Sequence, residues 1–159
     1  RTTVLFIPSA LARIALPLLS SNINNKKDYI NIFNLNLKIN FLITFGMVVV
    51  FVLLSPVLIH LYSSSYHSAL IPLIIMFITT GFIAVNNIVG QAIASQGKMW
   101  LGLLVNVVWA LVLVLSCFVF VVILKFGAIG LSLAYLISYA VHTFIQFFYI
   151  KNRLKSYTL

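Results

Sequence analysis

The chain has 159 residues, 63% of them hydrophobic and only 7% charged, with a mean hydropathy of +1.17 and ten Lys and Arg against a single acid, Asp28. Soluble domains carry about a quarter charged residues, so an ordinary soluble enzyme is excluded, and 14% aromatics exclude a disordered basic tail. The net charge of +9 sits between apolar blocks rather than along one face, so it is no footprint of a nucleic-acid partner; the composition is that of an all-α, polytopic transmembrane helix bundle.

The first apolar stretch, Val4–Leu19, is short, contains Pro8 and Pro17, and carries Arg13 near its middle. It reads as a kinked span or as an interfacial helix. A polar connection follows over Ser20–Lys38, in which Lys26-Lys27-Asp28 is expected to be a solvated turn that also favours anionic lipid headgroups. Its second half places Ile30, Phe33 and Leu37 at helical spacing, an amphipathic extension leading into the next span. Four clear spans of the ~20 apolar residues a crossing needs come after it: Ile39–Tyr62, Leu70–Ser95, Met99–Leu124 and Phe126–Ile150. Pro56 is expected to kink the first of these near its outer end.

Polar breaks separate them. Ser63-Ser64-Ser65-Tyr66-His67-Ser68 is a loop expected to cap the following helix as well, and Pro72 falls in that helix's first turn, where its missing N–H costs nothing. Gln96-Gly97-Lys98 makes the next break, Lys125 with Gly127 the last, and Lys151–Leu159 forms a tail. These are continuous apolar runs rather than alternating strands, which excludes a spanning β-barrel.

If Val4–Leu19 crosses, then Lys26, Lys27, Lys38, Lys98, Lys151, Arg153 and Lys155 fall on one side, and only Arg1 and Lys125 on the other. By the positive-inside rule the cation-rich side is cytoplasmic, and so is the C-terminus. The chain opens Arg1-Thr2-Thr3, without an initiator Met or a signal-peptide pattern, and is read as the C-terminal part of a longer protein. Its one cysteine, Cys117, lies within an apolar run and leaves no intrachain disulfide or Cys-based metal site.

Catalytic chemistry finds no constellation. Asp28 has no second carboxylate to work with, and His60, His67 and His142 have neither metal-ligand spacing nor an acidic partner. No glycine-rich nucleotide signature occurs. No enzyme, cofactor or metal is expected. His142, within the last span, reads either as a buried, hydrogen-bonded histidine or as a proton relay.

Arg13 is the sharpest residue. An arginine at the centre of a span costs about 2.5–3.5 kcal/mol on insertion scales, and it persists where it faces water, an anion or the bundle interior. Between two prolines it suits a cavity for a phosphate-bearing substrate; alternatively it snorkels to an interface. Asn87 and Gln91 lie one turn apart on one face of the third span and Asn86 shares another with Gly90, as packing contacts or substrate contacts. Asn106 with Trp109 in the fourth span carries the same two readings, and Gly127 and Gly130 read as close-packing sites near a helix start.

The order of these features resembles the C-terminal half of bacterial polysaccharide flippases of the Wzx O-antigen type, within the multidrug/oligosaccharidyl-lipid/polysaccharide exporter superfamily. The carrying stretches are Phe6-Ile7-Pro8-Ser9-Ala10 and Leu16-Pro17-Leu18-Leu19-Ser20, then Leu61-Tyr62 with Tyr66 and Ala69. Gly90-Gln91-Ala92-Ile93-Ala94 with Gly97-Lys98, Asn106 with Trp109, and Gly127-Ala128-Ile129-Gly130-Leu131 through Ser138-Tyr139 complete the set. The resemblance implies two helical bundles around a central cavity and transport of an undecaprenyl-pyrophosphate-linked oligosaccharide to the periplasmic leaflet by alternating access. It places Arg13 on a helix lining that cavity, with Asn87 and Gln91 as further substrate contacts, and implies an inner-membrane location. The partners it implies are the lipid-linked oligosaccharide, membrane lipids, an N-terminal bundle of the same chain, and polysaccharide polymerase and chain-length proteins. A cation-coupled multidrug exporter of the same superfamily is the alternative, although it needs intramembrane carboxylates that these spans lack. A non-transporting subunit of a polysaccharide assembly complex is another.

Overall fold

The computed structural model describes residues 2–62 and 64–155; Arg1, Ser63 and residues 156–159 of the tail lie outside it. The architecture is all-α: α1 (Thr2–Ser21), α2 (Lys26–Tyr62), a 3₁₀ turn (Ser64–Ala69), α3 (Leu70–Ser95), α4 (Met99–Cys117) running into a π-helical turn (Phe118–Ile123), and α5 (Gly127–Lys155). Five of these helices are long and apolar enough to cross a membrane, so the chain is a multi-pass membrane protein.

The connection between the first two helices is shorter than the Ser20–Lys38 stretch expected from sequence: its second half is the helical extension read from Ile30, Phe33 and Leu37, and the helix begins earlier still, at Lys26. Ser21 Oγ and Asn22 Nδ2 both donate to the carbonyl of Leu18 at the end of α1, closing it at 3.1 and 2.9 Å. Asn25 then opens α2: its Oδ1 accepts from the Asp28 N–H at 3.4 Å, and its Nδ2 donates to the Asp28 carboxylate at 2.5 Å. This is a reciprocal capping arrangement, with the lone acid placed in the first turn, where it meets the positive end of the helix dipole. Lys26-Lys27-Asp28 is therefore helical rather than a turn, and α2 runs without a break for 37 residues.

Proline is absorbed within these helices. Pro56 offers no N–H to the carbonyl of Val52, and the Ser55 hydroxyl donates to that carbonyl at 2.7 Å instead. Pro8 and Pro17 likewise lie inside a continuous α1. Ala69 holds the N-cap position of α3 and makes no side-chain cap bond, and the side chains of Ser63, Ser64 and Ser65, expected to cap this helix, lie outside the described residues.

α3 is the central element. It packs against α1, α2, α4 and α5, and it carries buried residues around its circumference, from Phe77 and Ile83 to Ile88, Val89 and Ile93. The main apolar cluster joins Ala12, Ala15 and Leu19 of α1, Tyr29 and Phe33 of α2, Ile88, Val89, Ala92 and Ile93 of α3, and Ile150 of α5. Those residues lie toward one end of the bundle, where α2 and α4 begin and α1, α3 and α5 finish. Lys26, Lys27, Lys98, Lys151 and Arg153 gather there, while Lys125 stands at the opposite end.

α4 is peripheral, with Val105 its one buried residue, and it packs mainly against α5. The corner that joins them is tight. Leu124 N–H bonds to Val119 O at 2.9 Å and Phe126 N–H to Phe120 O at 3.0 Å, and Lys125 and Gly127 both adopt positive φ, 55° and 54°. The two glycines read as packing sites divide their roles. A Cβ on Gly127 would meet nothing, so that residue serves the left-handed backbone. A Cβ on Gly130 would stand 2.7 Å from the Phe120 carbonyl oxygen, so only there does close approach require glycine.

Candidate functional site

α1 presents two unlike faces. Val4, Pro8, Ala12, Ala15 and Leu19 recur at three- and four-residue spacing and are buried against α2 and α3. Arg13 lies on the other side with exposed Phe6, Ala10 and Pro17. Of the settings in which an intramembrane arginine persists, the bundle interior is thus removed: the guanidinium points away from the bundle's own core. Pro17 has no N–H to give the carbonyl of Arg13, so the outward cation lies beside a backbone acceptor released from the helix ladder. Behind it, α1 is anchored by a polar contact that sequence reading missed. Asn40 of α2, 1% exposed, donates its Nδ2 to the carbonyl of Pro8 at 2.8 Å and accepts from Thr44 Oγ1 at 3.5 Å.

Asn87 and Gln91 stand on α3 and are half-buried. Because α1 turns Ala12, Ala15 and Leu19 toward α3 and Arg13 away from it, the structure does not bring these two amides together with the arginine. The deeply buried amide is their neighbour Asn86, 6% exposed, whose Nδ2 and Oδ1 both lack a hydrogen-bond partner. One turn further, Gly90 faces open space rather than a close neighbour.

A second polar group lies between α4 and α5. Trp109 packs on Tyr139 with ring centroids 5.2 Å apart and approaches His142 at 6.5 Å. His142 and Gln146 are both buried, and the Gln146 amide donates to His142 Nε2 at 3.3 Å. With Nε2 accepting, the imidazole proton is on Nδ1, which has no partner, as have Trp109 Nε1 and Gln146 Oε1. Sequence reading passed over Gln146; its place one turn beyond His142 was the signal that pairs them. Asn106, read together with Trp109, is instead exposed on the outer side of α4. Among the described residues no cluster of His, Cys, Asp or Glu has the makings of a metal site.

The third polar centre ties the cation-rich end together. The Tyr29 hydroxyl donates to Ala92 O at 3.0 Å, lies 2.9 Å from Ser95 Oγ and accepts from Gln96 Nε2 at 3.2 Å. Lys98 Nζ lies over the Tyr149 ring, 5.6 Å from its centroid. This is a structural clasp between α2 and the end of α3. Asp28 engages its cap, so among the described residues no carboxylate faces the interior of the bundle.

No family model, no curated protein and no solved structure matches the chain.

Proposed function

We propose that the chain is part of a membrane flippase that carries an undecaprenyl-pyrophosphate-linked oligosaccharide, an O-antigen or polysaccharide repeat unit, from the cytoplasmic to the periplasmic leaflet by alternating access. One observation carries this reading: Arg13 projects outward from a proline-containing helix in a bundle with no interior carboxylate. A guanidinium offers paired N–H donors that fit phosphate oxygens, and no acid of this bundle neutralises it. The resemblance described above supplies the substrate and makes the outer face of α1 a wall of a cavity shared with an N-terminal bundle, the usual arrangement for a transporter site. The cation bias supports a bacterial inner-membrane protein with its C-terminus in the cytoplasm. A polysaccharide polymerase and chain-length proteins are the partners that would consume the product.

The test is made in cells. Deleting the full-length gene is expected to trap lipid-linked oligosaccharide on the cytoplasmic leaflet, assayed in spheroplasts, and restoring it to release the block. Arg13→Ala in the full-length protein is expected to lower flipping at unchanged membrane abundance, with Arg13→Lys retaining part of the activity. Unaltered flipping by Arg13→Ala would remove the arginine from the site. Normal export in the deletion strain, with raised sensitivity to cationic compounds, would point to a drug exporter instead.

A further inference from the structure

α2 carries a polar stripe that the function proposed above does not use. Lys27, Asn31, Asn34 and Lys38 follow one another at four-, three- and four-residue spacing, and all four are exposed, so they climb one face of the helix over about 16 Å. At the top of the stripe a groove of about 320 Å³ opens, lined by Asn34, Leu37, Lys38 and Phe41 of α2, Val85 of α3 and Phe147 of α5. One water needs roughly 10–15 Å³ of such space, so the groove has room for a stretch of hydrocarbon chain. Its lining sets a cation and an amide beside two phenylalanines, a leucine and a valine.

The position of this lining along α2 matters. The apolar run of α2 from Ile39 to Tyr62 spans about 36 Å, enough to cross the ~30 Å hydrocarbon core by itself. Lys38 therefore stands at the polar edge of that run, with Phe41 one turn further along it and Val85 and Phe147 facing the same groove from α3 and α5. Phe41 and Phe147 remain exposed at 55% and 41%, so the groove is open sideways to the bilayer. The only acid of the chain, Asp28, is held by Asn25, and no carboxylate in the described residues competes for Lys38.

We propose that this groove between α2 and α5 seats an anionic phospholipid of the bilayer, its phosphate on Lys38 and Asn34 and an acyl chain along Phe41, Val85 and Phe147. A phosphodiester headgroup matches one ammonium and one amide donor, and basic grooves between helices at a membrane face are suited to such lipids. A bilayer phospholipid also needs no cavity to reach the groove, since it arrives laterally through the open side. The inference does not rest on the flippase reading, because Lys38 and Arg13 belong to different helices and the latter takes no part in the groove.

The experiment uses the purified protein in detergent, titrated with phosphatidylglycerol or phosphatidylcholine and read by native mass spectrometry as lipid retained. Phosphatidylglycerol is expected to be retained preferentially, and Lys38→Gln to weaken its retention about five-fold, whereas Lys125→Gln at the opposite end leaves it unchanged. A variant that keeps the lysine checks the location: Phe147→Trp, compared with the parent protein, is expected to gain a fluorescence component quenched by brominated-chain phosphatidylglycerol. Equal retention of the two lipids, indifference to Lys38→Gln at preserved helical content, or a Phe147→Trp component that escapes quenching would each overturn the proposal. Displacement of phosphatidylglycerol by undecaprenyl pyrophosphate at lower concentration would assign the groove to the isoprenoid lipid and overturn the phospholipid assignment.

Discussion

Two tyrosines near the same end of the bundle show how differently a hydroxyl can be used. Tyr29 gives its hydroxyl to the end of α3, where Ala92 O, Ser95 Oγ and Gln96 Nε2 all lie within hydrogen-bond distance. The hydroxyl of Tyr149 is buried without a partner, and its ring serves Lys98 instead. Removing the first leaves the Gln96 amide without its acceptor and Ala92 O with the Ser95 hydroxyl alone, at 2.9 Å; removing the second leaves nothing unsatisfied. Tyr29→Phe is therefore expected to cost about 1 kcal/mol, the scale of an interhelical hydrogen bond in a membrane, while Tyr149→Phe is neutral or slightly stabilising. Thermal unfolding of both variants in detergent checks this, and equal losses would contradict it. At this scale the sequence was only partly legible. Arg13 announces itself as a cation in an apolar run, but nothing in a linear string separates Asn86, sealed inside the bundle, from Asn87 beside it, half-buried one hundred degrees around the helix. Asn40 was hidden for a related reason: at the edge of a polar segment it looks solvated, and only the crossing of α1 over α2 turns it inward.

Helices were legible to the extent that hydropathy alone defines them. The bounds of α3 follow from the polar residues on either side, and the structure repeats them as Leu70–Ser95. The polar connection after α1 was readable only in its second half, where Ile30, Phe33 and Leu37 keep helical spacing; in its first half the asparagines and lysines look like loop when counted by composition. Local capping by Asn25 and Asp28 decides the matter and extends α2 back to Lys26. The corner into α5 was recognised as a break, yet its two glycines could not be told apart, since one is set by backbone dihedral and the other by a neighbour's carbonyl. A direct comparison separates them from an ordinary helical glycine. Gly130→Ala drives a methyl group to 2.7 Å from the Phe120 oxygen and is expected to destabilise by about 1–3 kcal/mol. Gly90→Ala, with open space at its Cβ, is expected to stabilise by up to about 1 kcal/mol through helix propensity. Denaturant titration reads both, and a Gly130→Ala protein as stable as the parent would mean that the π-helical turn yields freely.

As a whole molecule the bundle is polarised: cations collect where α1, α3 and α5 end, and the interior of the other end depends on hydroxyl groups that bond back to their own helices, Thr79 to Ile75 O at 2.8 Å and Ser132 to Ile129 O at 2.8 Å. With Cys117 replaced by Ser, single cysteines at Lys27, Lys125 and Lys151 test the insertion this predicts. A membrane-impermeant maleimide applied from outside the cell is expected to label the Lys125 position, and those at 27 and 151 only in inverted vesicles. Labelling of all three from one side would break the alternation of the spans. The peripheral placement of α4 has a consequence of its own. Leu103, Leu104, Leu111, Val114 and Leu115 are exposed, and Val105 alone is buried. Lipid tails accept any aliphatic outline, so the outer face of α4 answers to a rule of composition and not of shape. Mutation there can wander among leucine, valine and isoleucine with little consequence, whereas α3, touched from every side, has to keep its spelling.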